Sequence, residues 1–362
     1  MNASGPRVLG QLLVVKLEES RWSAALERML VDHRPSGVFL SRLRTPGATA
    51  ELLARIARTL DAPPLLWLEE EGGHVGPLSA FLPPLPSPHL AAEHGPSAVE
   101  RLGELIGAAM GLLGFNTNSA PTLDLAPRQS GDQGAGPILG SDPQQVARAG
   151  GAFARGLTKR KILACGKYFP GASAAEDCQS AEHCVVGKPM TRLWHEDLVP
   201  YRKLLARLPL VMVSNAAYKA YDFDILRPAT ESTSILQGLL RLKLRYPGLA
   251  VADLTRTPES GHALELANRV VRSIGAGCDL VIVPGDQRLL AAAQAAIEKV
   301  SVPAKIDTDR IQETFKRLRS ARKRLARPSG RIRKAEVERL AREFEEFGQS
   351  IAFGATGSGR QR

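Results

Sequence analysis

Short apolar runs alternate with segments of helical period along the chain as far as about residue 300. The apolar runs read as strands: Gln11–Val15, Gly37–Leu40, Pro64–Leu68, Asn116–Thr122, Ile162–Cys165, Leu208–Val213, Leu249–Ala252 and Asp279–Val283. Candidate helices lie between them, near 21–33, 46–60, 97–113, 143–160, 190–206, 232–243, 258–276 and 286–300. In the 258–276 segment, Ala263, Leu264, Ala267, Val270, Val271 and Ile274 recur at i, i+3, i+4 spacing, with Pro258 in the first turn and Gly275 and Gly277 at the end. Parallel strands need crossover connections, so eight such units predict an α/β fold, a closed parallel (β/α)8 TIM barrel. An open doubly wound sheet competes, but it would usually carry a Gly-rich phosphate loop after its first strand. Here Lys16-Leu17-Glu18-Glu19 follows instead.

With 362 residues and 44% hydrophobic content the chain can bury a large core, which excludes global disorder. We expect a barrel over residues 8–303, a basic helical extension over 304–350 and a disordered tail over 351–362. The extension reads as two charged helices, Asp307–Arg327 and Arg333–Phe347. Net charge is +11, and the run Arg310 to Lys334 holds eleven Lys/Arg against the single acid Glu313. That run fits either a solvated helix face or an anionic partner. The partner of these helices is not specified, and nucleic acid is not expected. No H-E-x-x-H-type spacing occurs, so neither metal nor cofactor is expected. The four cysteines, Cys165, Cys178, Cys184 and Cys278, follow no C-x-x-C spacing and read as reduced thiols. No signal-peptide pattern is visible, and no run approaches the ~18 apolar residues of a membrane span. A cytoplasmic protein with no membrane span is therefore expected.

In barrel enzymes the chemistry gathers at the C-terminal strand ends. After the third strand come Glu69-Glu70-Glu71-Gly72-Gly73-His74-Val75. Three consecutive carboxylates repel unless they meet cations or substrate hydroxyls, though a solvated acidic turn fits as well. The fifth strand leads through Gly166-Lys167-Tyr168-Phe169-Pro170-Gly171 into a long loop with Glu176, Asp177, Gln179, Glu182 and His183. Lys167 fits a ligand contact or a plain surface charge. The seventh strand ends in Asp253, which can be a nucleophile or the cap of the next helix.

Together these segments resemble glycoside hydrolase family 3, most closely its single-domain bacterial β-N-acetylhexosaminidases. Leu68 to Val75 is similar to V-D-Q-E-G-G-R-V, and Leu113 to Asp124 to L-G-x-N-x-x-x-A-P-V-L-D. Leu139 to Pro143 matches the end of R-S-F-G-x-D-P, and Gly166 to Gly171 looks like G-K-H-F-P-G. Gly248 to Asp253 matches G-V-x-x-S-D, and Ala276 to Leu280 resembles A-G-x-D-L. The resemblance implies retaining hydrolysis of a carbohydrate, with β-linked N-acetylhexosamine or a related glycoside as substrate and Asp253 as nucleophile.

The resemblance also marks departures. The family's Asp-x-His acid/base dyad falls on Asp177-Cys178-Gln179, and glutamine cannot shuttle a proton. His183, four residues on, is the substitute candidate beside Asp177. The family's Asp becomes Glu69, the Arg of its E-G-G-R turn His74, the Arg of R-S-F-G Pro137, the His after the lysine Tyr168, and a sixth-strand His Asn215. Lys167 is kept. Glu69, His74, Lys167 and Tyr168 are the expected sugar contacts. Two readings stay open: a glycoside hydrolase, or a catalytically silent barrel that binds sugar, senses it or serves as a scaffold.

Overall fold

The computed structural model describes residues 6–18, 20–73, 76–126, 137–172, 175–176, 184–256, 262–301, 308–325 and 327–357. Eight strands close a parallel barrel: β1 (Leu13–Leu17), β2 (Gly37–Leu40), β3 (Leu65–Leu68), β4 (Thr117–Asn118), β5 (Leu163–Phe169), β6 (Leu210–Val213), β7 (Leu249–Asp253) and β8 (Leu280–Pro284). Closure is made by β1 against β8, with Val14 opposite Ile282. The expected barrel is the observed one.

Strand alternation divides the core into two layers. Val14, Phe39, Leu65, Trp67, Cys165, Met212, Val251 and Ile282 fill the barrel interior. Their neighbours Leu13, Val15, Val38, Leu40, Leu66 and Leu68 face outward into the helical layer. The helices begin where side chains can satisfy open backbone donors. Ser23 accepts from the Leu26 amide at 3.0 Å, and Asp142 from the Gln145 amide at 2.7 Å, just before Pro143.

Several expectations shift. β4 shrinks to two residues, because Pro121 has no N–H to extend the ladder, although its carbonyl still accepts from Lys167 N at 3.0 Å. The described part of the seventh helix is Ala263–Ala276, and Pro258 lies outside the described residues. Leu264 faces solvent at 74% exposure, whereas Leu266, Val270 and Ile274 are buried. The ends of the loop after β5 are not structureless: Ala175–Glu176 pairs antiparallel with Val185–Val186, which pairs in parallel with Ala217–Tyr218. Cys165 and Cys278 are free and buried, and burial pushes both thiols up. The expectation of reduced thiols throughout is corrected at Cys184, which is disulfide-bonded. Among the described residues no helix is long and apolar enough to cross a membrane.

The basic extension proves to be part of the barrel's packing. Helix Thr308–Arg322 lies across the N-terminal end, with Leu318 and Ala321 in the interior cluster. Asp279, ahead of β8, accepts from Thr314 Oγ1 at 2.7 Å and Arg317 Nη1 at 2.9 Å, and also pairs with Arg241. Arg322 donates to the Pro63 carbonyl at 2.8 Å and to Gln11 Oε1 at 2.6 Å. Helix Lys334–Gly357 follows and passes residue 351, where the tail was expected to begin.

Candidate active site

The period of two that builds the interior also delivers the polar groups at its mouth. Lys16 lies two residues after Val14, Glu69 two after Trp67, Lys167 two after Cys165 and Asp253 two after Val251. Each extends an inward-facing row beyond its last apolar layer. A cavity of about 460 Å³ opens there, lined among others by Lys16, Phe39, Ser41, Glu69, Glu71, Pro137 and Arg256. That is room for a sugar ring.

The three consecutive glutamates divide their work. Lys167, 1% exposed, is clamped by Glu69 Oε1 at 2.8 Å and Glu71 Oε1 at 2.7 Å. Burial alone depresses the ammonium's pKa, but the charges of Glu71 and Glu69 outweigh it and hold it above the ordinary lysine range. Burial likewise tends to raise Glu69, yet Lys167 and then Arg256 prevail and keep its carboxyl below the usual value. Glu71 also accepts from Thr122 N at 2.8 Å and Thr122 Oγ1 at 3.0 Å, which ties β3 to the segment after β4. Glu70 turns away from the mouth. It accepts from the amides of Gly72 (2.8 Å) and Leu78 (2.9 Å), and burial raises its pKa. Gly72, at φ 91°, has the Pro86 carbonyl 2.7 Å from where a Cβ would sit, so the turn requires glycine.

Asp253 closes β7. Its Oδ1 accepts from Thr255 N at 2.9 Å and Thr255 Oγ1 at 2.6 Å, and its carbonyl accepts from Asn215 Nδ2 at 2.7 Å. Among the described residues it forms no ion pair with Lys167, whose ammonium is taken by Glu69 and Glu71, and the cavity wall is reached through Arg256, three residues on. Glu69, Lys167 and Tyr168 are thus brought together, with the Lys167 ammonium 5.5 Å from the Tyr168 ring centre, while Asp253 belongs to the neighbouring side of the mouth. His74, Asp177 and His183 lie outside the described residues, as do Cys178, Gln179 and Glu182.

The root of the loop after β5 is firmly held. Asp124 Oδ1 accepts from Ala172 N at 2.9 Å, and Tyr218 donates to the Gly171 carbonyl at 2.9 Å. Burial pushes the Asp124 carboxyl up to about 7. Sequence reasoning missed Lys16 and Arg256. The signal for Lys16 was present, since it is the lone charge in Leu13-Val14-Val15-Lys16-Leu17, on the parity of Val14.

Carboxylates and ammonium groups turned into the C-terminal mouth of a closed (β/α)8 barrel are the layout of a barrel enzyme. Residues 7–321 match the glycosyl hydrolase family 3 N terminal domain, and the chain belongs to that family. It is 29% identical over 287 residues to a beta-hexosaminidase of Pseudomonas aeruginosa, covering 78% of this chain and 85% of the relative. A beta-hexosaminidase of Methylococcus capsulatus is 27% identical over 297 residues, covering 76% and 83%. Among solved structures, a family 3 β-N-acetylglucosaminidase from a Paenibacillus species superposes with a TM-score of 0.80 at 25% identity, covering 94% of this chain and 68% of that one. A β-N-acetylhexosaminidase from Beutenbergia cavernae shares the fold at a TM-score of 0.78 and 22% identity, covering 89% and 99%.

Proposed function

We propose that the chain is a retaining glycoside hydrolase for β-linked N-acetylhexosamine or a related glycoside, with Asp253 as nucleophile. The observation that carries this is positional: Asp253 ends β7 two residues after the inward-facing Val251, beside a cavity with room for a sugar ring whose wall is reached by Arg256, three residues on. The names of the relatives, beta-hexosaminidases, supply the substrate class. In the first step a carboxylate oxygen of Asp253 bonds to the anomeric carbon as the glycosidic C–O bond breaks, and the leaving oxygen takes a proton. Water then cleaves the glycosyl ester with inversion at the same carbon, so configuration is retained overall. Asp177 and His183 are the candidates to supply and recover the proton. Glu69 and Tyr168, held about Lys167, are the candidate sugar contacts, with His74 as a further one.

A second reading, a sugar-binding barrel without turnover, is favoured by Gln179 in the dyad and by Lys167 already bonded to two carboxylates of its own chain. An aryl glycoside whose leaving group needs little protonation separates the two. The hydrolase predicts a burst of phenol from 2,4-dinitrophenyl β-N-acetylglucosaminide that Asp253→Asn abolishes. Absence of both turnover and covalent adduct, with N-acetylglucosamine binding still measurable, would establish the silent barrel.

A further inference from the structure

We propose that Lys16 is a positioning residue for Asp253, acting through the hydroxyl of Thr255; the inference rests on the reading of Asp253 as nucleophile. Lys16 is an expensive residue where it stands. It ends the interior row of β1 at 6% exposure, and its ammonium lies 5.1 Å from the centre of the Phe39 ring. Burying a charge costs several kcal/mol unless partners compensate it. Among the described residues it takes part in no ion pair within 4.0 Å; its charge acts at longer range on Glu69, and its hydrogen bond goes to the neutral Thr255 Oγ1, at 3.1 Å. That oxygen in turn donates to Asp253 Oδ1 at 2.6 Å, while Thr255 N donates to the same Oδ1 at 2.9 Å.

The direction of the chain is fixed by the donor inventory. An ammonium can only donate, so Thr255 Oγ1 accepts from Lys16 and has a single proton of its own to give. That proton points at Asp253. A hydroxyl that accepts from a cation is polarised and donates more strongly, which tightens its hold on the carboxylate. Both hydrogen bonds fall on Oδ1, so the carboxylate is pinned by one oxygen and the other carries neither bond. A nucleophile held this way keeps one oxygen on course for an anomeric carbon, and orientation of that kind governs the chemical step more than ground-state binding. The other charges at the mouth are committed elsewhere: Lys167 to Glu69 and Glu71, and Arg256 to Glu69 at 3.6 Å.

The test is a double-mutant cycle on full-length protein with 2,4-dinitrophenyl β-N-acetylglucosaminide. Lys16→Met and Thr255→Val are each expected to lower kcat roughly 10- to 100-fold, the scale of losing a supporting hydrogen-bond partner behind a functional group, with KM within about twofold. The double variant should be no worse than the more severe single, because the two residues act as one unit. Thr255→Ser, which keeps the hydroxyl, should restore kcat. Thr255 is half-buried, so Thr255→Val is expected to disturb packing less than Lys16→Met, and its comparison with Thr255→Ser tests the chain even if Lys16→Met fails to fold. A raised KM with unchanged kcat in Lys16→Met would make Lys16 a ligand contact and overturn the proposal, as would losses that multiply in the double variant. Turnover surviving in Asp253→Asn would instead sink the nucleophile reading itself. Complete inactivity of the unmodified chain would remove both.

Discussion

Asp124 shows how one side chain can link the site to its surroundings. It is 9% exposed, and it holds the first turn of the loop that carries the acid/base candidates by accepting from Ala172 N. Burial lifts its carboxyl from 3.8 to about 7, against the pull of the amides of Ala172 and Tyr168. The folded chain therefore keeps a proton on Asp124 over a range where the unfolded chain has lost it. The resulting stabilisation is complete below about pH 4 and disappears as pH rises towards 7, and it amounts to about 4 kcal/mol at most. Asp124→Asn keeps the acceptor oxygen and cannot ionise. Urea denaturation of both proteins from pH 4 to 7.5 should show the wild type losing stability relative to the variant across that window. A constant difference between them would mean that Asp124 ionises alike in both states. The sequence marked Asp124 only as the end of a motif. Its proton depends on burial that only the tertiary fold creates, and the amides that oppose it, of Tyr168 and Ala172, are more than forty positions away with no local signature.

At the scale of elements, strands were legible because their apolar runs report burial on both faces, and the observed limits differ from the expected ones by a few residues. The C-terminal helices were legible as helices but not in their role. Nothing within Thr308–Arg322 indicates that Leu318 and Ala321 will lie under the barrel, since that contact joins residues separated by most of the chain. The pinning acid, Asp279, was visible as the start of a strand and as the acid of the A-G-x-D-L motif, but not as an anchor. It is 1% exposed and accepts from Ala250 N at 2.7 Å as well as from the helix, so it binds two strands and the plug together. Leu318→Ala should leave a cavity beneath the interior layer and cost about 2–4 kcal/mol, as large-to-small changes do in packed cores. Chemical denaturation of the variant measures this. A loss below roughly 0.5 kcal/mol, the usual range for surface sites, would show that the helix does not seal the barrel.

For the molecule as a whole, the question is where the barrel ends. Composition suggested residue 303, because charge rises steeply beyond it and large apolar groups thin out. Packing argues for a later boundary. Val14, Leu65, Leu163, Leu249 and Leu280 form the lower layers of the interior, in one cluster with Leu318 and Ala321. Removing the helix would open those layers to water at about 25 cal/mol per Å² of apolar surface. It would also leave Asp279 without Thr314 and Arg317. The basic charge there is partly structural, since Arg317 and Arg322 are bonded to the barrel floor. Helix Lys334–Gly357 contributes less to the interior: Arg101 pairs with Glu343 at 3.0 Å, and Leu340 and Phe344 pack into the outer layer. Two truncations separate these roles. A chain ending at residue 331 should melt cooperatively, at a lower temperature than the full protein. A chain ending at residue 307 should lose its sharp melt and its near-ultraviolet circular dichroism, as a barrel with an open floor loses fixed packing. Cooperative melting of the shorter chain would return the boundary to residue 303 and reduce the helix to an appendage.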